Sequence, residues 1–556
     1  MTEIIKKYKK YEIKPSHETI EDFCNPKKFK LQPQQEFIAE YFSSKEAPPG
    51  MLVYHQIGAG KTCAAISVAE KMKKKFKIMV VLPASLIGNF KDELISPCSG
   101  EEYISRADRL KLSKLKPDDS EFEKIQEKSE KKIKKYYTIY SYHKFVALIK
   151  KNKIKLDNTL LIIDEVQNMV SLTGTFYSTL KKSIDNSNDT LKILILSATP
   201  MFDKPSEIGL TLNLLKPKIE FPIGLEFDKV FLKRKGSMYE TKNTDKFNSL
   251  SKNLISYFRG APPMTYPEQI FKVVKCQMSD FQYKSYLSAM SSEGDFVKGA
   301  FKNVDILNLP VNFLLGPRFI SNVAFPNKSI GDMGFSSFKD DNLQLQNINN
   351  FSIKFYKIFK KIKKSEGPVF VYSNFKDFGG IKSFIKFIEY HGYKNYKVHG
   401  EGPLRYASWT GDEKKEMKEE MKYIFNQQEN NDGSKINIML GSPSVKEGVS
   451  FKRVRQVHIL EPYWNMSRVL QIIGRAIRFC SHKDLPKKDR NVEVFLYLAT
   501  KSGVITADQT IWLMAKQKSK LIGAFETSLK EVAVDCQLFY HRNVYPEDEY
   551  KLKCKN

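Results

Sequence analysis

Residues 50–72 read GMLVYHQIGAGKTCAAISVAEKM, and they decide the fold. The apolar run Met51–Tyr54 has the length and bounding turn residues of a buried parallel strand. Gly58, Ala59, Gly60, Lys61 and Thr62 follow, and then a helical stretch. Glycines let backbone N–H groups turn inward around phosphate oxygens, and the helix start adds the positive end of its dipole. In this pattern Lys61 reaches the β- and γ-phosphates of a nucleoside triphosphate and the Thr62 hydroxyl binds Mg²⁺. His55 stands where the strict pattern wants glycine.

A phosphate loop needs acids across the sheet, and LLIIDEVQN (160–168) supplies them. An apolar strand ends in Asp164-Glu165, which puts two carboxylates at the carboxyl edge, where open α/β sheets bind ligands. Asp164 is the candidate Mg²⁺ ligand and Glu165 the base for the attacking water. Gln167 adds hydrogen-bonding capacity without a titrating charge. ILILSATPM (193–201) repeats the theme: Ser197 and Thr199 follow a strand and are candidates for linking the nucleotide site to a second domain. In MSRVLQIIGRAIRFCSH (466–482), Gln471, Arg475 and Arg478 fall at i, i+4 and i+7, hence on one predicted helix face. Two arginines there suit the charge that builds up in phosphoryl transfer. Ser442, Glu447, Gly448 and Ser450 lie just upstream in a stretch of small polar residues suited to a phosphate backbone.

Further apolar runs at Ile78–Leu82, Leu160–Ile163 and Ile193–Leu196 complete one α/β domain over residues 30–215. Runs at Val369–Tyr372, Ile436–Leu440, Val457–Leu460 and Val492–Tyr497 predict a second over 351–556. Residues 1–29 read as an N-terminal extension and 216–350 as a mostly helical connecting region, including a helix over Asp280–Met290. The charge-dense Lys111–Lys135 reads as an exposed helix or insertion. The predicted fold class is therefore α/β: two doubly wound parallel sheets with a cleft between them.

The 556 residues exceed one ordinary core. With 41% hydrophobic and 12% aromatic residues the chain can bury sizeable cores, which excludes global disorder. Lys+Arg total 91 against 63 Asp+Glu, a net charge of +28 that suits a polyanion such as nucleic acid. No apolar run approaches the roughly 20 residues of a membrane span, and the N-terminus has no secretory apolar core. The seven cysteines form no CxxC pair or zinc-like spacing, so free thiols in a reduced, intracellular compartment are expected.

The order of the boxes LQPQQ (31–35), HQIGAGKT (55–62), DEVQ (164–167), SATP (197–200), SPSVKEGVS (442–450) and QIIGRAIR (471–478) resembles the ATPases of helicase superfamily 2. The resemblance spans about residues 30–540 and implies that both sheets are RecA-like and close on ATP, with ATP and Mg²⁺ as cofactors and ATP hydrolysis coupled to motion on nucleic acid. It implies that Gln35 reads adenine. Pro83 and Ser85 in VVLPASLIGNF (80–90) and Ser141 in TIYSYHKF (138–145) look like first-domain contacts to one nucleic-acid strand. YSNFKDFGG (372–380), ENNDGSK (429–435), KRVRQVHILEPYWN (452–465) and AVDC (533–536) are similar to DNA-dependent ATPases of large cytoplasmic DNA viruses, the group of the poxvirus early transcription factor small subunit and nucleoside triphosphatase I. The transcription-factor branch implies double-stranded promoter DNA, a large companion subunit and viral RNA polymerase as partners, no membrane, and location in the cytoplasmic viral factory and the virion. Termination or RNA release, or true unwinding, is the alternative. A scaffold with a vestigial ATPase is disfavoured by intact Lys61, Thr62, Asp164, Glu165, Arg475 and Arg478. Gln167 departs from the histidine usual in that group, which bears on coupling rather than on hydrolysis.

Overall fold

A computed structural model describes residues 3–15, 18–112, 114–115, 119–172, 174–236, 238–291, 305–307, 309, 312–446 and 449–555. The strands are β1 (Gly50–His55), β2 (Lys77–Leu82), β3 (Tyr137–Ser141), β4 (Thr159–Asp164), β5 (Lys192–Leu196), β6 (Leu232–Lys235), β7 (Met238–Thr241), β8 (Ile255–Phe258), β9 (Glu268–Gln277), β10 (Val369–Tyr372), β11 (Lys394–Asn395), β12 (Arg405–Trp409), β13 (Ile438–Gly441), β14 (Gln456–Ile459) and β15 (Asn491–Thr500). They form a six-stranded sheet of order β3-β2-β4-β5-β1-β8, a seven-stranded sheet of order β11-β12-β13-β10-β14-β15-β9, and a β6-β7 ribbon. Every pairing in the two large sheets is parallel.

The chain divides into two compact units. The first holds residues 1–235, 239–262 and 521–556; the second holds 236–238 and 263–520. In the first, β1 and β4 are buried along their whole length, as continuous apolar runs in a parallel sheet require. Helices Pro33–Phe42 and Lys61–Met72 cover one face and share its core through Phe37, Ile38, Phe42, Ala65 and Val68. In the second unit, one face of the sheet packs Phe370, Val457 and Val494 against Ile472 and Ile473. The other packs Val371 and Leu440 against Phe355, Phe384 and Phe387.

Both predicted sheets are present, but the chain is divided differently. Within 216–350 helices predominate, as expected, but β8 belongs to the first sheet and the ten-residue β9 to the second, so the stretch supplies a strand to each sheet rather than only connecting them. β9 escapes a sequence reading because Glu268–Gln277 is exposed along most of its length and lacks an apolar run. The last 36 residues, read as part of the second domain, belong to the first unit. The charge-dense segment forms helices Arg106–Leu112 and Ser120–Lys134, the latter anchored by Ile125 and Ile133. The helix predicted from Asp280 runs to Ser291.

The expectation of free thiols is overturned: Cys63 is joined to Cys98 and Cys536 to Cys554. These pairs lie 35 and 18 residues apart in sequence, and only the fold brings their Cα atoms to 5.8 and 5.7 Å. Cys276 is a buried free thiol. Among the described residues no helix is long and apolar enough to cross a membrane.

Candidate nucleotide and motor site

Apart from Gln35, on helix Pro33–Phe42, the first unit's predicted residues gather at one edge of its sheet, because each follows the carboxyl end of a parallel strand. β1 leads into 55–62, β2 into Pro83 and Ser85, β3 ends at Ser141, β4 at Asp164, and β5 leads into Ser197 and Thr199. This is the edge where doubly wound sheets bind ligands. The phosphate loop needs its glycines: φ is +84° at Gly58 and +71° at Gly60, and a Cβ on Gly60 would lie 2.3 Å from Gln35 Nε2. Helix Lys61–Met72 begins at once, so its first N–H groups face the loop. Ala59 is buried, while Gly58 and Gly60 are exposed.

Lys61 Nζ lies 3.2 Å from Glu165 Oε1 and 3.7 Å from Asp164 Oδ1. Burial acts to lower the Lys61 pKa, but the two carboxylates outweigh it and hold the ammonium above its ordinary value. Asp164 is pushed up to about 6, first by burial and also by the charge of Glu165, with Lys61 pulling the other way. Glu165 adopts φ +53°, a backbone strain of the kind that collects at functional sites. Its carboxylate accepts from Gln167 Nε2, and Gln167 Oε1 accepts from Ser197 Oγ at 2.8 Å. Ser197 Oγ in turn accepts from Thr199 N at 3.0 Å. One continuous chain therefore links Lys61, Glu165, Gln167, Ser197 and Thr199. Each was predicted separately; the chain joining them was not.

The donor set fits Mg²⁺–ATP: inward backbone N–H groups, an ammonium, a hydroxyl at Thr62, and a buried and a half-buried acid that already attract a cation. Gln35, implied to read adenine, donates to the Gly60 carbonyl at 3.1 Å, and its Oε1 accepts from Gln32 N at 2.9 Å. Gln34 donates to the Ala59 carbonyl at 3.3 Å. Both amides brace the loop. Tyr142 was missed by sequence reading: its hydroxyl donates to the carbonyls of Asp164 and Glu165, the latter at 2.9 Å, from the exit of β3, two strands away. Ser85 is exposed, Pro83 is buried, and Ser141 caps helix Tyr142–Lys150 by accepting from Lys144 N.

In the second unit Ser442 follows β13, buried, with Oγ 3.3 Å from Ser444 Oγ. Glu447 and Gly448 lie outside the described residues. Arg475 Nη1 and Arg478 Nη2 both donate to the Val449 carbonyl at 3.3 Å, which sets the two guanidinium groups side by side next to that loop. One expectation needs correction. Gln471 and Arg475 lie on helix Met466–Ala476, but Arg478 lies beyond its end. The helix stops because Ile477 is extended, the Arg475 carbonyl accepts from Phe451 N at 2.8 Å, and Arg478 N donates to Ser481 Oγ at 3.3 Å. The arginines meet through this turn rather than along a helical face.

Two family descriptions match the chain: an SNF2-related domain over residues 34–322 and a helicase conserved C-terminal domain over 353–480. A protein of Acanthamoeba polyphaga mimivirus named as an ATP-dependent RNA helicase is 48% identical over 558 residues, covering 99% of this chain and 97% of that protein. A frog virus 3 protein named as a helicase is 27% identical; the match takes in 92% of this chain and about half, 54%, of that protein. A protein of African swine fever virus named as a termination factor NPH-I homolog is 26% identical, covering 88% of this chain and 76% of its own.

Proposed function

The chain belongs to the SNF2-related helicase family of superfamily 2 and is an ATP-hydrolysing, helicase-like enzyme, and on that premise we propose that it is a nucleic-acid motor serving transcription in a large DNA virus, as the ATPase of an early initiation factor on double-stranded DNA. The observation that carries the motor reading is the unbroken chain from Lys61 through Glu165 and Gln167 to Ser197 and Thr199. It ties the phosphate loop to the box that communicates with the rest of the machine.

The roles follow from position. Backbone N–H groups of 58–62 and Lys61 bind the phosphates, and Thr62 and Asp164 hold Mg²⁺, which supplies charge neutralisation at the transferred phosphoryl group. Glu165 orients a water and takes its proton. Gln167 keeps Glu165 aimed and reports its state to Ser197. Arg475 and Arg478 supply positive charge for the transition state, as the family motif implies. The net charge of +28 supports a polyanionic track. Pro83, Ser85, Ser141 and Ser442 are the proposed contacts to it.

A second reading is a termination or RNA-release motor. The African swine fever virus relative, named as a termination factor homolog, favours it. Turnover of Mg²⁺-ATP measured side by side with double-stranded DNA, single-stranded DNA and RNA separates the readings. Stimulation by duplex DNA that fades steeply with salt is expected. Stimulation by RNA alone overturns the initiation reading. Capture of a large companion subunit with the polymerase is expected of an initiation factor.

A further inference from the structure

The AVDC segment (533–536) has no role in the scheme above, and its surroundings suggest one. β8 is the last strand of its sheet and pairs with β1. Its outer backbone groups are met by the end of the chain. Val534 N donates to the Ile255 carbonyl at 2.9 Å, and Tyr257 N donates to Asp535 Oδ1 at 2.9 Å. Arg259 N donates to Asn543 Oδ1 at 2.8 Å, and Asn543 Nδ2 donates to the Tyr257 carbonyl at 3.3 Å. Residues 534–543 thus cover an edge that would otherwise stand unpaired.

Covering the edge explains Asn543 but not a carboxylate at 535. Asp535 is fully buried, and burial raises it to about 7. Its Oδ2 accepts from Ser256 Oγ at 2.5 Å, and Ser256 Oγ lies 3.1 Å from His55 Nε2. All three side chains are 0% exposed. The Ser256 hydroxyl donates to Asp535, which commits its single proton to that carboxyl. The Ser256 oxygen then accepts from His55 Nε2–H, which fixes both the tautomer and the ring orientation. An asparagine could turn its amide toward Ser256 and reverse the chain. His55 is the last residue of β1 and the first of the phosphate-loop box, and the next residue, Gln56, donates its N–H to the Phe258 carbonyl at 3.0 Å.

We propose that Asp535 is a positioning residue of the nucleotide site: through Ser256 and His55 it fixes the foot of the phosphate loop, which makes the C-terminal segment part of the ATP-binding apparatus. This rests on the reading of 55–62 as the phosphate site. It also gives His55 a reason to stand where glycine is usual. The Cys536–Cys554 bond ties down the same segment one residue further on.

The experiment uses the full chain and measures ATP KM, kcat and thermal melting for Asp535→Asn, Ser256→Ala, their combination and Ser256→Thr. Asp535→Asn and Ser256→Ala are each expected to raise KM for ATP about tenfold, as losing one oriented hydrogen bond would, with kcat within about twofold. The double variant goes no further than either single, because the three groups act in series. Ser256→Thr keeps the hydroxyl and retains wild-type KM. A fall in melting temperature with KM unchanged in both single variants reduces the segment to an edge cover and overturns the proposal, as does an additive double. If Asp535→Asn fails to fold, Ser256→Ala and Ser256→Thr decide alone. Lys61→Ala is the control: normal turnover there sinks the phosphate-site reading itself, whereas failure of the proposal leaves that control inactive.

Discussion

Replacing Lys61 with methionine tests the electrostatics of the site before any nucleotide arrives. The ammonium stands 3.7 Å from Asp164 and 3.2 Å from Glu165, with side chains only 12%, 8% and 24% exposed. At an effective dielectric of about 20, charges at such separations attract by roughly 4–5 kcal/mol each. Removing one partner of a buried pair costs about 3–5 kcal/mol, because the other charge stays buried. Glu165 is partly open to solvent, so we expect Lys61→Met to destabilise the first unit by about 2–4 kcal/mol at pH 8. That corresponds to a fall of roughly 4–12 °C in melting temperature. The loss has a pH signature. Asp164 titrates near 6 in the folded protein, above its ordinary 3.8, so the native state binds the extra proton and stability declines as pH rises through that interval. Without Lys61 the Asp164 pKa rises further, and the decline extends upward in pH. The deficit is therefore smaller at pH 5, where Asp164 is largely protonated and the pair with Glu165 alone remains, and full at pH 8. Millimolar Mg²⁺ should restore part of it by taking the place of the ammonium. Thermal melts from pH 5 to 8.5, with and without Mg²⁺, read all of this. An equal deficit at pH 5 and pH 8 would refute the reasoning.

Glu165→Gln should lower kcat by at least 10²-fold, on the order expected for losing a general base, while ATP still binds; wild-type turnover in the purified variant would remove Glu165 from that role. Gln167→Ala cuts the chain between Glu165 and Ser197. It should leave basal ATPase within several-fold of wild type but lower the stimulation by nucleic acid about tenfold or more, read as the ratio of rates with and without the polymer. Lys354 and Asp508 form a pair with both side chains 0% exposed, 2.6 Å apart. Lys354→Met strands that carboxylate and should cost about 3–5 kcal/mol in denaturant unfolding, and no measurable loss would refute this account of the pair.

What could be read in advance follows from how each feature is encoded. β1, β2, β4, β5 and β10 each hold a short apolar run that leads into diagnostic residues, so strand and site come from the same letters. The boundaries drawn for 216–350 failed for two reasons. β8 is four residues long, and β9 is a largely exposed strand whose partner β15 begins more than two hundred residues later. Tyr142 was hidden because a tyrosine at a helix start has many possible uses, and only the fold puts its hydroxyl on the carbonyls of Asp164 and Glu165. Asp535 is the most instructive case. In sequence it is one acid 480 residues from His55, with no periodicity or spacing to join them. In the structure the chain returns to the edge of β8, and a single serine bridges the gap. A local motif names the atoms that meet phosphate, but the atoms that hold the motif still are set by whichever segment closes the sheet edge beside it. For this reason truncation within 532–548 should impair the phosphate loop before it disturbs the second unit, a separation that limited proteolysis in the presence and absence of ATP would reveal: ATP should protect the first unit of the intact chain and lose that effect in the truncated one.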